Sequence, residues 1–599
     1  MKQPTNLELA SLLRKVSVAY QILNENRFKI IAYDRAADSI EHLTSEVKDL
    51  WDDNKLNEIP GVGEGIAHYL DELFRTGKVG HFDDIMKRIP ESVFLLLLVP
   101  GLGPKKAYRL VTELKLMSEK TAIADLEKAA RAHQIAVMEG FGEKSEADIL
   151  ANLDTYKRGA IKENRMALPI ADAIATEVME FVKKGGHVER IDRLGSLRRR
   201  VATIGDVDVA VATHKPAVVI EHFLKYPHQK IVEKGPSGAT FLLHSGRQVD
   251  LRVQRPEAYG AMLQYFTGSK NHNIKLREYA LAQGLSLNEH GIKSVRTGKT
   301  REVGTEEEFY KAIGLPYIPP EIRENKGEIE AAFRQAQGKP PGLPHLIELS
   351  DIRGDLHMHT SYDLESSHDV GRNTLADHMD CAAELGYEYI GISDHNPSMG
   401  THTAVQVAAI MKKRKEFYRK EEEIWNKKHT KDVHVFVMCE VDILPDGRLA
   451  LPEEAFEHVD AVVVSLHSSF TQDRKTVTGR IISAFNANPK VRIFGHPTGR
   501  LLGSREGVDA DWPEVFTAAE KLDIALEINS YPERLDLPDT LVYDAVRAGV
   551  HFTVDTDSHA VEHMDLMRYG VSVARRGWAA KDDIRNALGY NDFKKWLLK

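Results

Sequence analysis

Thr203-Ile-Gly-Asp-Val-Asp-Val-Ala-Val211 reads as a buried β-strand that carries two acids, Asp206 and Asp208. Side chains at i and i+2 of a strand leave the same face, about 7 Å apart along the chain. Two carboxylates so placed repel, so the pattern calls for a cation between them or for a solvated strand end. The flanking sequence contains what a cation site needs. Gly195-Ser-Leu-Arg-Arg-Arg200 precedes the strand, and a third acid, Asp250, lies in another short β-run, Gln248-Val-Asp-Leu-Arg252. Three carboxylates on neighbouring strands can hold two Mg2+ ions at the spacing that activates an attacking hydroxyl and stabilises a leaving pyrophosphate. A Gly-Ser turn with arginines can cradle a triphosphate.

Around this strand, residues 165–315 read as helix, then β-runs (Val207–Ala212, Ala239–Leu243, Gln248–Val253), then helix, which is an α+β unit. Prolines and glycines in Gly314-Leu-Pro-Tyr-Ile-Pro-Pro-Glu-Ile-Arg323 and Gly338-Lys-Pro-Pro-Gly-Leu-Pro344 mark a linker. The 599-residue chain is long enough for roughly four domains. Its 42% hydrophobic and 28% charged residues exclude a disordered or fibrous class. The longest apolar run, Val93–Val99, is too short to span a bilayer, and the polar N-terminus lacks a secretory pattern, so a cytoplasmic protein without a membrane partner is expected. A net charge of −9 leaves nucleic-acid binding to local patches. Cys381 and Cys439 are the only cysteines, which excludes a disulfide framework or a cysteine-rich zinc site, so any metal must have other ligands.

The first 150 residues read as helices joined by glycine turns. Ile59-Pro-Gly-Val-Gly-Glu-Gly-Ile-Ala67 and Val99-Pro-Gly-Leu-Gly-Pro-Lys-Lys-Ala107 match closely, and Met138-Glu-Gly-Phe-Gly-Glu-Lys-Ser145 matches more weakly. A Gly-x-Gly turn before a helix presents backbone N–H groups where a phosphate is welcome. The two matching turns resemble the helix-hairpin-helix motif, which grips DNA backbone without reading sequence. By that resemblance Gly61, Gly63, Gly101, Gly103 and Lys105 bind DNA.

From Asp355 onward, apolar runs alternate with helical stretches: Tyr389–Ile392, Val435–Met438, Ala461–Val464, Val491–Phe494, Ala525–Ile528 and His551–Val554. The alternation predicts parallel strands with helical crossovers, as a barrel or an open sheet. Candidate ligands fall at the ends of these runs: His357 and His359 in Asp355-Leu-His-Met-His-Thr360, then His395, Glu440, His467, His496, Asp557 and His559. In barrels the C-terminal strand ends carry the chemistry.

Gly195-Ser196, Gly205-Asp206-Val-Asp208 and Asp250 resemble the nucleotidyltransferase palm. With Tyr265-Phe-Thr-Gly-Ser269, Asn273 and Arg277, the set is similar to the family X DNA polymerases. The resemblance implies that Asp206 and Asp208 bind both Mg2+ ions and that Asp250 binds the catalytic one. It implies a nucleotide site of Gly195, Ser196, Arg199, Tyr265, Phe266, Gly268, Asn273 and Arg277. In that site Ser196 and Arg199 meet the triphosphate, Tyr265 and Phe266 flank the sugar, Asn273 reaches the base edge and Arg277 the template. The C-terminal motifs resemble the polymerase and histidinol phosphatase (PHP) domain. This implies up to three Mn2+ or Zn2+ ions on His357, His359, His395, Glu440, His467, His496, Asp557 and His559, with Glu440 bridging; imidazole-rich sites suit these ions. A ninth ligand is expected in the long Tyr362-Asp-Leu-Glu-Ser-Ser-His-Asp-Val-Gly371 stretch, at Asp369, with Asp363 the rival. Arg500 is a candidate phosphate holder or an ordinary surface arginine.

The sequence departs from the family in two places. Arg200 stands where the family commonly has glycine after the two arginines, and Tyr69 stands where animal members carry the lyase lysine. A tyrosine cannot form a Schiff base, which leaves Lys29 or Lys55 as substitutes. The expected architecture is multidomain. An all-α helix-hairpin-helix region (1–85, with a second motif in fingers 86–160) precedes an α+β nucleotidyltransferase palm (161–255) and thumb (256–318). A linker (319–350) then leads to a distorted α/β PHP barrel (351–599). The expected function is gap-filling synthesis in DNA repair, by a monomer acting on gapped or nicked DNA and dNTPs. The PHP site would add 3′–5′ exonuclease, 3′-phosphatase or abasic-site cleavage. The rivals are a nuclease or phosphatase whose N-terminal half only binds DNA, and a non-enzymatic scaffold.

Overall fold

The computed structural model describes residues 4–599 apart from 5, 42–46, 53–54, 60, 98, 100–101, 119–120, 139–140, 143–144, 147–148, 151–152, 154–164, 367 and 369. The chain forms two compact units, Met1–Glu163 and Asn164–Lys599.

The first unit is helical among its described residues. Its two best-matched turns close the same way: Val62 N–H bonds Ile59 O (3.0 Å) and Leu102 N–H bonds Val99 O (3.2 Å). In each, an extended glycine then caps a helix, Gly63 for Glu64–Thr76 and Gly103 for Pro104–Glu113. Gly61 adopts φ +83°, a left-handed conformation that glycine takes without strain. Gly101 and much of the third joint lie outside the described residues.

In the second unit a five-stranded sheet carries the opening sequence. Its order is Arg190–Arg193, Val207–Ala212, Gln248–Gln254, Gly238–Leu242, Lys230–Gly235, with only the Val207–Ala212/Gln248–Gln254 pair parallel. Val207, Val209 and Val211 face a core shared with helices Leu168–Lys184 and Pro216–Phe223. Ala210 and Ala212 face the other way, onto Tyr259, Met262 and Leu263 of helix Tyr259–Thr267. Strand alternation therefore puts Asp206 and Asp208 on this second face.

Residues 319–350, expected to connect domains, carry packed side chains. Arg323 is fully buried, its Nη1 2.6 Å from Glu306 Oε1, and Arg198 Nη2 pairs with Glu306 Oε2. Burial pushes the Glu306 carboxyl up, but Arg323 and Arg198 outweigh it and bring it down to about 2. A depressed folded pKa stabilises above the unfolded value, near 4.5, and that stabilisation is lost as pH falls toward 2. Glu306→Gln removes the counter-charge of two guanidiniums, one of them fully buried, and is expected to cost about 3–5 kcal/mol at pH 7. Chemical denaturation should show the gap between parent and variant shrinking below pH 4.5; equal stabilities at pH 7 would refute this.

The C-terminal region has eight parallel strands in sequential order, but not as one closed ladder. Gly354–Met358, Tyr389–Ile392 and His434–Val437 form one sheet; Cys439–Asp442, Val462–Ser465, Val491–Gly495, Ala525–Asn529 and Phe552–Asp555 form another. The sheets meet through single bridges, His395↔Glu440 and Met358↔Ser558, so no continuous ladder closes the expected distorted barrel. Both bridges lie where the chain turns from strand into candidate ligand segments, and the first strand carries a register shift between Asp355 and Met358.

Candidate active sites

Asp208 and Asp250 are register partners on adjacent parallel strands, so their side chains leave the same face side by side. Asp250 is buried and its oxygens are held by Thr240 Oγ1 (2.5 Å) and Gln248 Nε2 (2.8 Å). Burial, then Asp250, then Asp206 raise the Asp208 carboxyl well above the ordinary range, although Arg252 and Arg199 oppose this. Three acids in mutual repulsion lack positive charge, and divalent cations fit that deficit. A Cβ on Gly195 would lie 2.2 Å from Asp208 Oδ2, so the Gly-Ser turn closes onto this carboxylate as only glycine allows.

Arg198, Arg199 and Arg200 diverge. Arg198 Nη1 donates to Thr267 Oγ1 (2.6 Å); Arg199 donates to Thr267 O (2.5 Å) and Glu324 Oε1 (3.0 Å). Arg200 adopts φ +58°, a conformation that glycine takes without strain, and pairs with Asp172 Oδ1 at 3.1 Å. Tyr265 and Phe266 pack edge to face at 5.0 Å, next to Gly268 at φ +66°. Asn273 bridges Tyr265 O (2.7 Å) and Gln264 Nε2 (2.8 Å), and Arg277 lies two turns into helix Lys270–Leu281. Ser196 lies in the first turn of helix Gly195–Arg198. Arg252 escaped the sequence reading. It shares the face of Asp250 two residues on, and its guanidinium lies 5.7 Å from the Phe266 ring.

The second site converges on Glu440, which is buried and central. Its Oε2 lies 3.2 Å from His357 Nε2, 3.6 Å from His359 Nε2 and 3.0 Å from His395 Nδ1. Its Oε1 lies 3.2 Å from His467 Nε2 and 2.9 Å from His496 Nε2. Asp557 Oδ1 lies 3.3 Å from His359 Nε2 and 3.8 Å from His559 Nδ1. Their donor atoms fall into clusters of metal-binding size, among them His357/His359/Asp557, His359/His395/His559 and Glu440/His467/His496. Burial pushes the Glu440 carboxyl up, but His357, His395 and His467 hold it well below the ordinary range. Burial, His395 and His559 bring His359 down to about 3.

Nitrogens of His357, His359, His395 and His496 are buried without hydrogen-bond partners. An unsatisfied buried polar atom costs about 1–3 kcal/mol. Imidazoles gathered round shared carboxylates, once they give up their protons, are the donor set Mn2+ or Zn2+ takes, so the residues fit these ions. His496 (φ +26°) and Asp557 (φ +52°) also hold uncommon backbone conformations, of the kind that concentrates at functional sites.

The expected ninth ligand, Asp369, lies outside the described residues; its rival Asp363 is exposed and accepts from Glu365 N–H at 2.7 Å. His368 reaches the site: its ring centroid lies 4.5 Å from that of His395 and 4.7 Å from that of His467, and the three form a further metal-sized cluster. Gly371 anchors this segment, since a Cβ there would lie 2.0 Å from His359 O.

Orienting partners were also missed. Glu527 Oε1 lies 2.7 Å from His357 Nδ1, and Asp442 lies 2.6 Å from His467 Nδ1 and 3.0 Å from His368 Nε2. Such carboxylates fix the tautomer and orientation of ligand imidazoles. A glutamate inside the otherwise apolar Ala525–Ile528 run was the available signal. Arg500 is occupied by the carbonyls of Arg534 (2.9 Å) and Leu535, so it braces a loop. Arg372, Arg505 and Arg534 instead line a cavity of about 630 Å3 over the cluster, with Phe470 and Tyr531.

In the first unit, Lys105 Nζ donates to Asn24 Oδ1 at 2.6 Å, and Tyr69 stacks on His81 at 5.1 Å. Lys29 Nζ lies 4.1 Å from the Tyr20 ring centroid. Among the described residues, no helix is long and apolar enough to cross a membrane.

Two phosphoryl-transfer chemistries on one chain define the class, a nucleotidyltransferase that carries a separate phosphoesterase-type site. Over 593 residues, 98% of this chain and 99% of the relative, it is 32% identical to the DNA polymerase/3′-5′ exonuclease PolX of Bacillus subtilis (strain 168). The chain belongs to the family X DNA polymerases. It is 24% identical to DNA polymerase lambda of Rattus norvegicus over 349 residues, 53% of this chain and 56% of that protein. It is 28% identical to a probable phosphatase of Clostridium acetobutylicum over 215 residues, 34% of this chain and 78% of that protein. Residues 262–324 match the DNA polymerase beta thumb, 4–79 a helix-hairpin-helix domain and 53–116 a SAM-like helix-hairpin-helix tandem.

Proposed function

We propose that the chain fills short gaps in DNA with dNTPs during repair and hydrolyses phosphodiesters at 3′ ends in its C-terminal PHP-type site. The observation that carries this is the pairing of Asp208 with Asp250 across one parallel ladder, on a face closed by the Gly195-Ser196 turn. Asp206, Asp208 and Asp250 would hold Mg2+; the Glu440 cluster, with His368 as ninth ligand, would hold Mn2+ or Zn2+. Bound divalent ions supply Lewis acidity and a nucleophilic hydroxide at neutral pH.

Within this reading Ser196 and Arg199 bind the triphosphate, Arg199 exchanging Glu324 for it, and Tyr265 and Phe266 bound the sugar. Asn273 releases the Tyr265 carbonyl to reach the base, and Arg277 faces the template. The helix-hairpin-helix turns grip backbone at Gly61, Gly63, Gly101, Gly103 and Lys105 without sequence preference. At the second site, Arg372, Arg505 and Arg534 steer and orient the phosphodiester, while Glu527 and Asp442 keep His357, His467 and His368 in register.

Incubation of gapped, 3′-phosphate and abasic duplexes with Mn2+ and dNTPs tests the reading. Extension of the gap together with 3′ trimming is expected; gapped DNA recovered unchanged would defeat it. His368→Ala is expected to lower metal content and slow 3′ hydrolysis by about 10–100-fold, whereas Asp363→Ala leaves both unchanged. Equal metal content in the two variants, measured by elemental analysis, would remove His368 from the ligand set.

A further inference from the structure

Arg576 closes helix Met567–Arg576 of the C-terminal region, yet it is 6% exposed and bonded to the polymerase half. Its Nη1 donates to Arg199 O (2.7 Å) and Glu324 Oε1 (3.0 Å), and its Nη2 to Asp539 Oδ2 (2.9 Å). Glu324 Oε1 also accepts from Arg199 Nε at 3.0 Å. One largely buried carboxylate thus holds two guanidiniums. One belongs to the nucleotide turn, and the other is delivered from nearly four hundred residues further along the chain.

Arg199 cannot give its guanidinium to a triphosphate without loosening Glu324. If Glu324 had no second cation, that departure would strand a buried carboxylate, a costly state that would hold Arg199 back. Arg576 supplies the second cation and is itself braced by Asp539. We infer that Arg576 is a positioning residue for nucleotide binding: it retains Glu324 so that Arg199 can turn to the incoming triphosphate. The inference rests on the reading of Arg199 as a triphosphate ligand. It also gives the C-terminal region a part in synthesis that is separate from its own hydrolytic site.

Steady-state single-nucleotide gap filling by the full chain tests it. Arg576→Met is expected to raise the nucleotide KM about tenfold with kcat within about twofold, because what is lost is binding of the ground state. Arg576→Lys keeps the charge and should restore most of the affinity. Adding Glu324→Gln to Arg576→Met removes the carboxylate that traps Arg199 and should return KM to within about twofold of the parent. Arg576→Gln retains volume and N–H donors, and stands in if the methionine variant aggregates. An unchanged KM in Arg576→Met, or a raised KM that Glu324→Gln leaves unrelieved, overturns the inference. Arg199→Met separates the two levels: an unchanged KM there defeats the triphosphate reading itself. A raised KM in Arg199→Met beside an unchanged one in Arg576→Met defeats only the positioning role.

Discussion

Asp208→Asn is expected to cut gap-filling synthesis by about a thousandfold while 3′ hydrolysis continues. The substitution keeps shape and removes one charge from a set of three that faces one point. Metal-assisted charge stabilisation is worth several kcal/mol, and each 1.36 kcal/mol is tenfold in rate. The same substitution has an opposite effect on stability. Asp208 is raised well above the ordinary carboxylate range by burial and by Asp250 and Asp206, so its ionised form opposes folding when no cation is present. That penalty is absent below the unfolded value near 3.8 and grows as pH rises toward the folded value. In metal-free buffer at neutral pH the asparagine variant should therefore melt higher than the parent. Added Mg2+ should stabilise the parent more than the variant. Primer extension and melting curves with and without Mg2+ read both effects. Extension at the parental rate would return the nuclease-only reading to first place.

Glu440→Gln is expected to have the mirror-image outcome, with 3′ hydrolysis lost and synthesis retained. Glu440 is the carboxylate within 3.6 Å of five imidazoles, from His357, His359, His395, His467 and His496. An orienting carboxylate in such a site is worth about 10–100-fold in metal affinity, and a bridging one more. Glutamine replaces one acceptor oxygen with an N–H2 group that has no lone pair for a cation and donates instead to the facing imidazole nitrogens, taking their lone pairs from the metal as well. Bound metal by elemental analysis and release of nucleotides from a labelled 3′ end measure it. Undiminished metal together with undiminished hydrolysis would mean that the ions sit elsewhere or that the cluster is structural.

Much of the candidate chemistry was legible because it is written in consecutive residues. The spacing of Asp206 and Asp208, the His-x-His pair, and apolar runs such as Tyr389–Ile392, which coincides with the strand, follow from alternation and residue type over a few positions. What sequence could not give depends on partners far apart in the chain. The register that sets Asp208 beside Asp250 was one such feature, and the break of the eight strands into sheets of three and five was another. Glu527 beside His357, His368 over His395, and Arg576 on Glu324 are contacts between distant segments. A local pattern fixes which face a side chain leaves by, since that is a property of backbone geometry. Which buried charge meets which is decided only when packing removes water from both, because only then does an unpaired partner become too costly to keep.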